Sequence, residues 1–333
     1  MRCPVPLRLS LGLALAAVSV VAALPSTVPS APPGLVPTDV PGIDLPIVQE
    51  HRYLMRGHVR AFPPFWIGRD DVGEGVIRWR AQGHRQGYEL IIGTDPARAP
   101  RQLNRWGYLA EETKGNEGTV VGLIAKSGED RLEDVESDAR RADPRRPFSS
   151  IRARVTDGSA YSIYSTIYIA PDLTYRDVGA VVASALSETA ATPPEVFDRP
   201  SGTRPGFLTS VAELVHGSVQ AQARGVPVPT ADIPYIYGDD VYVVRQVEAT
   251  PIERFEHRGR QFEHVVRGRF ETGRQRSRQR TKFELVYGAH GDLAGVPVLI
   301  AYQPRWWLKV ELLIESRGST VSLADATQVE RTR

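Results

Sequence analysis

Apolar and polar residues alternate in run after run of this chain, from about Val48 nearly to its end. Tyr161, Ile163, Ile167 and Ile169 fall on one side of a two-residue period, and Ser162, Tyr164, Thr166 and Tyr168 on the other. Ile77 and Trp79 alternate with Arg78 and Arg80, and Tyr88, Leu90 and Ile92 with Glu89 and Ile91. Near the C-terminus Leu308, Val310, Leu312 and Ile314 alternate with Lys309, Glu311 and Glu315. Successive side chains of a strand point to opposite faces, so this period predicts strands buried on one face. Glycine and Asp-Pro clusters such as Gly93-Thr94-Asp95-Pro96 separate the runs, and short connections make neighbouring strands antiparallel. Val296 to Tyr302 is apolar on both faces and reads as a central strand.

The period changes once. Thr174 and Asp177 form a capping-box pattern ahead of Val178, Val181, Val182, Ala185 and Leu186, the spacing of an amphipathic helix. A second helix is predicted from a Ser210/Glu213 capping box, with Val211, Leu214, Val215 and Val219 as its stripe and Gly225 as its stop. The Pro-, Gly- and Ser-rich stretch from Thr192 to Pro205 reads as the loop between them. The fold class is therefore α+β: one domain at 48–330, a large curved antiparallel β-sheet, half-barrel-like, with two amphipathic helices inserted mid-chain at about 174–225. A curved sheet closed by helices commonly encloses an apolar hollow.

The first residues read as an export signal. Arg2 and Arg8 precede an apolar run from Leu9 to Leu24, and Val21-Ala22-Ala23 offers small residues for cleavage. The run is shorter than the roughly 20 residues that span a bilayer, so a signal peptide at 1–23 is expected, with no transmembrane span once it is cleaved. The only cysteine, Cys3, precedes the run, so there is no lipobox cysteine after it and no disulfide or thiolate in the mature chain. The expected location is periplasmic or extracellular. Seven prolines between Pro25 and Pro46 predict an extended, disordered linker at 24–47. Without Arg2 and Arg8, the 41 Lys+Arg fall to 39 and balance the 39 Asp+Glu. A neutral chain gives no reason to expect a nucleic-acid partner. The paucity of lysine beside arginine suits a GC-rich bacterial source.

Several motifs carry candidate chemistry. Tyr237-Gly238-Asp239-Asp240 looks like the metal-binding hairpin of RNA-templated polymerases, but Gly-Asp is ordinary turn chemistry between strands, and the turn is the expected reading. Asp70-Asp71 in a Gly-rich stretch is likewise expected to be a turn. Arg274, Arg276, Arg278, Arg280 and Lys282 alternate with uncharged residues. As a strand they would set five cations on one face, able to meet an anionic partner. The preferred reading is a solvated hairpin tip or a charge-protected edge strand. Trp306 and Trp307 occupy opposite faces of one strand, and with Tyr302, Tyr164 and Tyr168 they are the candidate ligand-binding aromatics. The seven histidines show no metal-binding spacing. No nucleophile elbow, Walker loop or dinucleotide fingerprint is present, so no catalytic residue, metal or cofactor is assigned.

Two segments resemble exported bacterial domains of unknown function whose curved sheets are similar to the lipoprotein-carrier half-barrel. They are Ile67-Gly68 through Gly75-Val76-Ile77-Arg78-Trp79, and Phe283-Glu284-Leu285-Val286-Tyr287 leading to Gly295-Val296-Pro297-Val298. The resemblance implies ligand carriage or an envelope-associated role. The expected function is an exported, non-enzymatic binding or carrier module for a lipid or other amphipathic ligand. A cell-surface structural protein with an envelope partner, and a hydrolase using Asp70, Asp71, Asp239 or Asp240, are the alternatives.

Overall fold

The computed structural model describes residues 43–62, 65–125, 146–190, 192–228, 230–238, 240–305 and 308–315. The expected signal peptide and most of the expected linker lie outside these residues, as do Trp306, Trp307 and Asp239.

The fold is α+β. Fourteen strands form one antiparallel sheet: β1 (Ile47–Phe62), β2 (Phe65–Gln82), β3 (Arg85–Thr94), β4 (Trp106–Lys114), β5 (Glu117–Ala125), β6 (Arg146–Val155), β7 (Ser159–Ile169), β8 (Glu195–Asp198), β9 (Asp232–Tyr237), β10 (Asp240–His257), β11 (Arg260–Arg274), β12 (Thr281–Gly288), β13 (Pro297–Arg305) and β14 (Leu308–Ile314). Neighbours in sequence are neighbours in space except β8 and β9. The first and last strands meet mid-sheet, where Met55 stands opposite Leu312 and Val59 opposite Leu308. The sheet's edges are thus β8 and β9. The sheet curves until these edges approach. Arg204, beyond β8, donates its N–H to Pro234 O at 2.7 Å and accepts from Ile236 N at 3.1 Å. Val155, Ala160 and Ile236 form a small buried cluster across the gap.

Consecutive residues of each strand serve opposite faces, and a helix covers each face. Helix α1 (Val178–Glu188) packs outside. Its Val178, Val181, Val182 and Ala185 join Ile91, Trp106, Tyr108, Leu123 and Phe148. Each valine so buried contributes about 1.5–3 kcal/mol. The expected capping box is present: Arg176 N donates to Thr174 Oγ1, and Thr174 N donates to Asp177 Oδ2 at 2.8 Å. The approach is anchored where Asp95 takes ion pairs from Arg98 (2.9 Å) and Arg176 (3.0 Å), while Arg98 also reaches Glu74. Tyr175 seats on Gly93, where any Cβ would strike its ring.

Helix α2 (Phe207–Ala223) lies inside the curve. Phe207, Leu214 and Val215 join Leu109, Val120 and Ile151 of one half of the sheet to Tyr235, Val244, Phe270 and Tyr287 of the other.

Four expectations need correction. The linker does not extend to residue 47, because Ile43 and Leu45 are buried in the outer core. The segment between the helices is not all loop, since β8 pairs with β7 there. Asp70 and Asp71 lie within β2, at a bulge where Asp71 takes φ 53°, rather than at a turn. Finally, the arginines of β2 are not its wet face. Arg78 is 0% exposed while Trp79 is 37% exposed. Arg78 donates to Glu50 at 2.7 Å and Glu89 at 2.9 Å, and Arg80 donates to Glu89 and to Leu45 O. The N-terminal segment and outer core cover this face, so its charges are buried as a network.

Candidate ligand-binding site

The register sets out the inner face of β1 to β4 in rows. His51, Ile77, Leu90 and Leu109 stand opposite one another. One step toward the hairpin ends lie Gln49, Trp79, Tyr88 and Glu111. Helix α2 covers the β4 side of these rows and crosses to β9 and β10, but it does not fill the space over β1 to β3 and β11 to β14. A cavity of about 880 Å³ remains there, in the range of small-molecule sites. Ile77, Leu90 and Ile92 form one wall, Phe283, Leu285, Ile300, Val310 and Leu312 the opposite one, and Phe207, Leu208, Val211 and Val215 of α2 the roof. His84, Gln86 and Asn116 are exposed at its mouth.

The roof is held in place by a residue of the floor. Glu111, fully buried on β4, accepts from Leu208 N and Thr209 N, each at 2.8 Å. The first N–H groups of a helix have no internal partner, and the N-terminus carries partial positive charge. The N-cap residue, Gly206, makes no side-chain cap, and a Cβ there would run into the Glu111 carboxylate. The expected Ser210/Glu213 capping box is therefore wrong. The helix starts at Phe207 on a cap from another strand, Ser210 donates back to Gly206 O, and Glu213 pairs with Arg204. Burial pushes the Glu111 carboxyl up, against the lowering effect of these N–H groups.

Several polar groups beside the cavity are already engaged. Thr272 bonds Tyr235 at 2.7 Å, and Arg204 holds Glu213 with two bonds. His51 differs. It is 6% exposed, lines the cavity, and among the described residues neither ring nitrogen has a hydrogen-bond partner. Burial lowers its pKa, against the raising influence of Glu50, so the imidazole is neutral.

Of the aromatics singled out from the sequence, Tyr302 lines the cavity. Tyr164 does not: its hydroxyl meets Ser149 Oγ at 2.9 Å and its ring packs against the inner core. Tyr168 is 57% exposed on β7, away from the cavity. Trp306 and Trp307 lie outside the described residues. The cationic row is not a strand but a hairpin connection. Arg274 ends β11 and pairs with Asp240, Arg280 donates to loop carbonyls including Arg274 O at 3.0 Å, and Lys282, on β12, pairs with Glu271. Arg276 and Arg278 are exposed in the connection. Gly238, with φ 63°, turns the β9–β10 hairpin as expected. His51 was missed as a site. Its signal was its place on the face shared with Tyr53, Met55 and Val59, opposite Arg52, Arg56 and Arg60.

Among the described carboxylates of the hydrolase alternative, Asp70 and Asp240 do not converge. Asp70 is ion-paired to Arg56 and to Arg258, just beyond one end of β10, whereas Asp240 begins the other end of that 18-residue strand. Among the described residues no group of three or more His, Cys, Asp or Glu gathers where a metal ion could sit, and no helix is long and apolar enough to cross a membrane.

No protein-family model and no curated protein matches this chain. One solved structure, a lipoprotein candidate from Parabacteroides distasonis ATCC 8503, is similar over 82% of this chain and 96% of its own, at 10% identity and a TM-score of 0.27.

Proposed function

We propose that this chain is an exported, non-enzymatic carrier or binding module that holds an apolar or amphipathic ligand between the sheet and α2. The observation that carries the reading is the cavity itself: about 880 Å³, walled by aliphatic and aromatic side chains from both halves of the sheet. An apolar wall of this extent gives affinity by burial and gives little purchase for catalysis. Export rests on Arg2, Arg8 and the apolar run that follows them. The apolar dye N-phenyl-1-naphthylamine tests the reading. Wild-type protein is expected to bind it with enhanced fluorescence. Val211→Trp, which projects an indole into the cavity, is expected to weaken binding at least about tenfold with an unchanged far-ultraviolet spectrum. Equal uptake by both proteins would place the dye elsewhere and overturn the reading.

A further inference from the structure

We propose that His51 receives the polar end of the ligand, and that this end is an uncharged hydrogen-bonding head such as a glyceryl hydroxyl. The inference rests on the carrier reading above and narrows it to neutral-headed lipids.

Its basis is what the cavity offers a head group. A buried polar atom without a partner is costly, and native structures retain few of them. Two lining residues carry such atoms, His51 and Thr209. The Thr209 hydroxyl lies beside the Glu111 carboxylate, which leaves the imidazole, among the described residues, as the buried polar group of the lining with nothing to bond. His51 sits one row inside the mouth, between Gln49 and Tyr53 on its strand and opposite Ile77. A chain threaded past Ile77 and Leu90 toward Ile92 and Leu312 would leave its head at this height. A neutral imidazole has one donor and one acceptor nitrogen, so it suits a head that is itself donor and acceptor.

Charge argues the same way. Arg78 and Arg80 belong to the outer face, held by Glu50 and Glu89. Arg204 is held by Glu213. No cation of the described lining stands uncompensated at His51, and an anion brought among Ile77, Leu90 and Leu312 would lose its hydration without a counter-charge. Burial keeps the imidazole itself uncharged, consistent with a neutral guest.

The test uses the full chain, dye displacement and three ligands with one dodecyl-length chain: 1-monolaurin, dodecyl phosphate and dodecylamine. Wild-type protein is expected to release dye to monolaurin at concentrations at least about tenfold below the other two. His51→Leu should weaken monolaurin about fivefold relative to the dye, and leave the melting temperature unchanged or raise it. His51→Gln should keep part of the preference. A merely structural histidine would instead lower the melting temperature when replaced and leave the head-group ranking intact. Dye binding with no preference for monolaurin, or with a preference as large in His51→Leu as in wild type, would overturn the assignment and leave the carrier reading standing. Failure of wild-type protein to take up any dye would overturn both.

Discussion

Replacing Glu111 by alanine should release the roof of the cavity. The wild-type carboxylate takes two backbone N–H bonds of 2.8 Å at the start of α2. Bonds to a charged group contribute about 1.5–3 kcal/mol each. Against that sum stands the cost of burying the carboxylate, expressed in its raised pKa, which alanine removes. Alanine also leaves Leu208 N–H and Thr209 N–H without their acceptor, beside the gap left by four side-chain heavy atoms. The balance is a loss of about 2–4 kcal/mol. Glutamine keeps one acceptor oxygen and should lose less. The assay is equilibrium urea unfolding, read as a fall in midpoint at constant slope, with dye binding measured below the transition. Dye affinity should fall in Glu111→Ala as α2 loosens. An alanine variant within about 0.5 kcal/mol of wild type would refute the argument that this strand residue caps the helix.

Three further outcomes follow from the same geometry. Arg78→Ala should cost about 1.5–3 kcal/mol in the same unfolding experiment, because it leaves the buried Glu89 with Arg80 alone and the half-buried Glu50 with Arg52 alone; a loss under about 0.5 kcal/mol would show that the network is hydrated. Acid should loosen α1. Burial alone would raise the Asp95 and Glu50 carboxyls, but Arg176 and Arg98 beside Asp95, and Arg78 and Arg52 beside Glu50, hold both below the usual range. The folded state thus binds fewer protons than the unfolded chain, and this stability is complete above about pH 5 and lost as pH falls toward the folded pKa values. Glu111 is shifted the other way and gains stability as pH falls from neutral toward the ordinary carboxylate range, so between pH 7 and about pH 4 melting temperatures should fall more steeply in Glu111→Gln than in wild type; a shallower fall in the variant would contradict this. Tyr302→Ala should weaken dye binding severalfold, whereas Tyr164→Phe should leave it unchanged and cost about 1 kcal/mol for the lost Ser149 hydrogen bond; equal effects on binding would contradict the placement of the cavity.

Much of the sheet was legible because period-two alternation is a local property. The capping box of α1 was legible for the same reason: Thr174 and Asp177 are three residues apart. The start of α2 was not, because its cap comes from Glu111 on a strand almost a hundred residues earlier, and no local pattern records that. A four-residue strand, β8, carries too short a period to stand out among prolines and glycines. Arg78 and Arg80 misled in a different way. Alternation says that two faces differ, but not that α1 and the Ile43–Pro46 segment cover the charged one. Among the candidate aromatics, parity did not separate Tyr302 from Tyr164. What separates them is the curvature of the sheet, which brings Tyr164 to Ser149, Tyr237 and Gly238 and leaves Tyr302 on the cavity. His51 was hidden in plain sequence: counted as a histidine without metal spacing, it was not weighed as a polar residue on an otherwise apolar face.

The central claim is that the cavity under α2 carries a ligand. Native mass spectrometry of the protein purified gently from its own host tests it most directly. The account predicts a mass above that of the polypeptide, with the excess lost on organic extraction and recovered as a neutral lipid. A mass equal to the bare polypeptide, before extraction as after it, would contradict the claim.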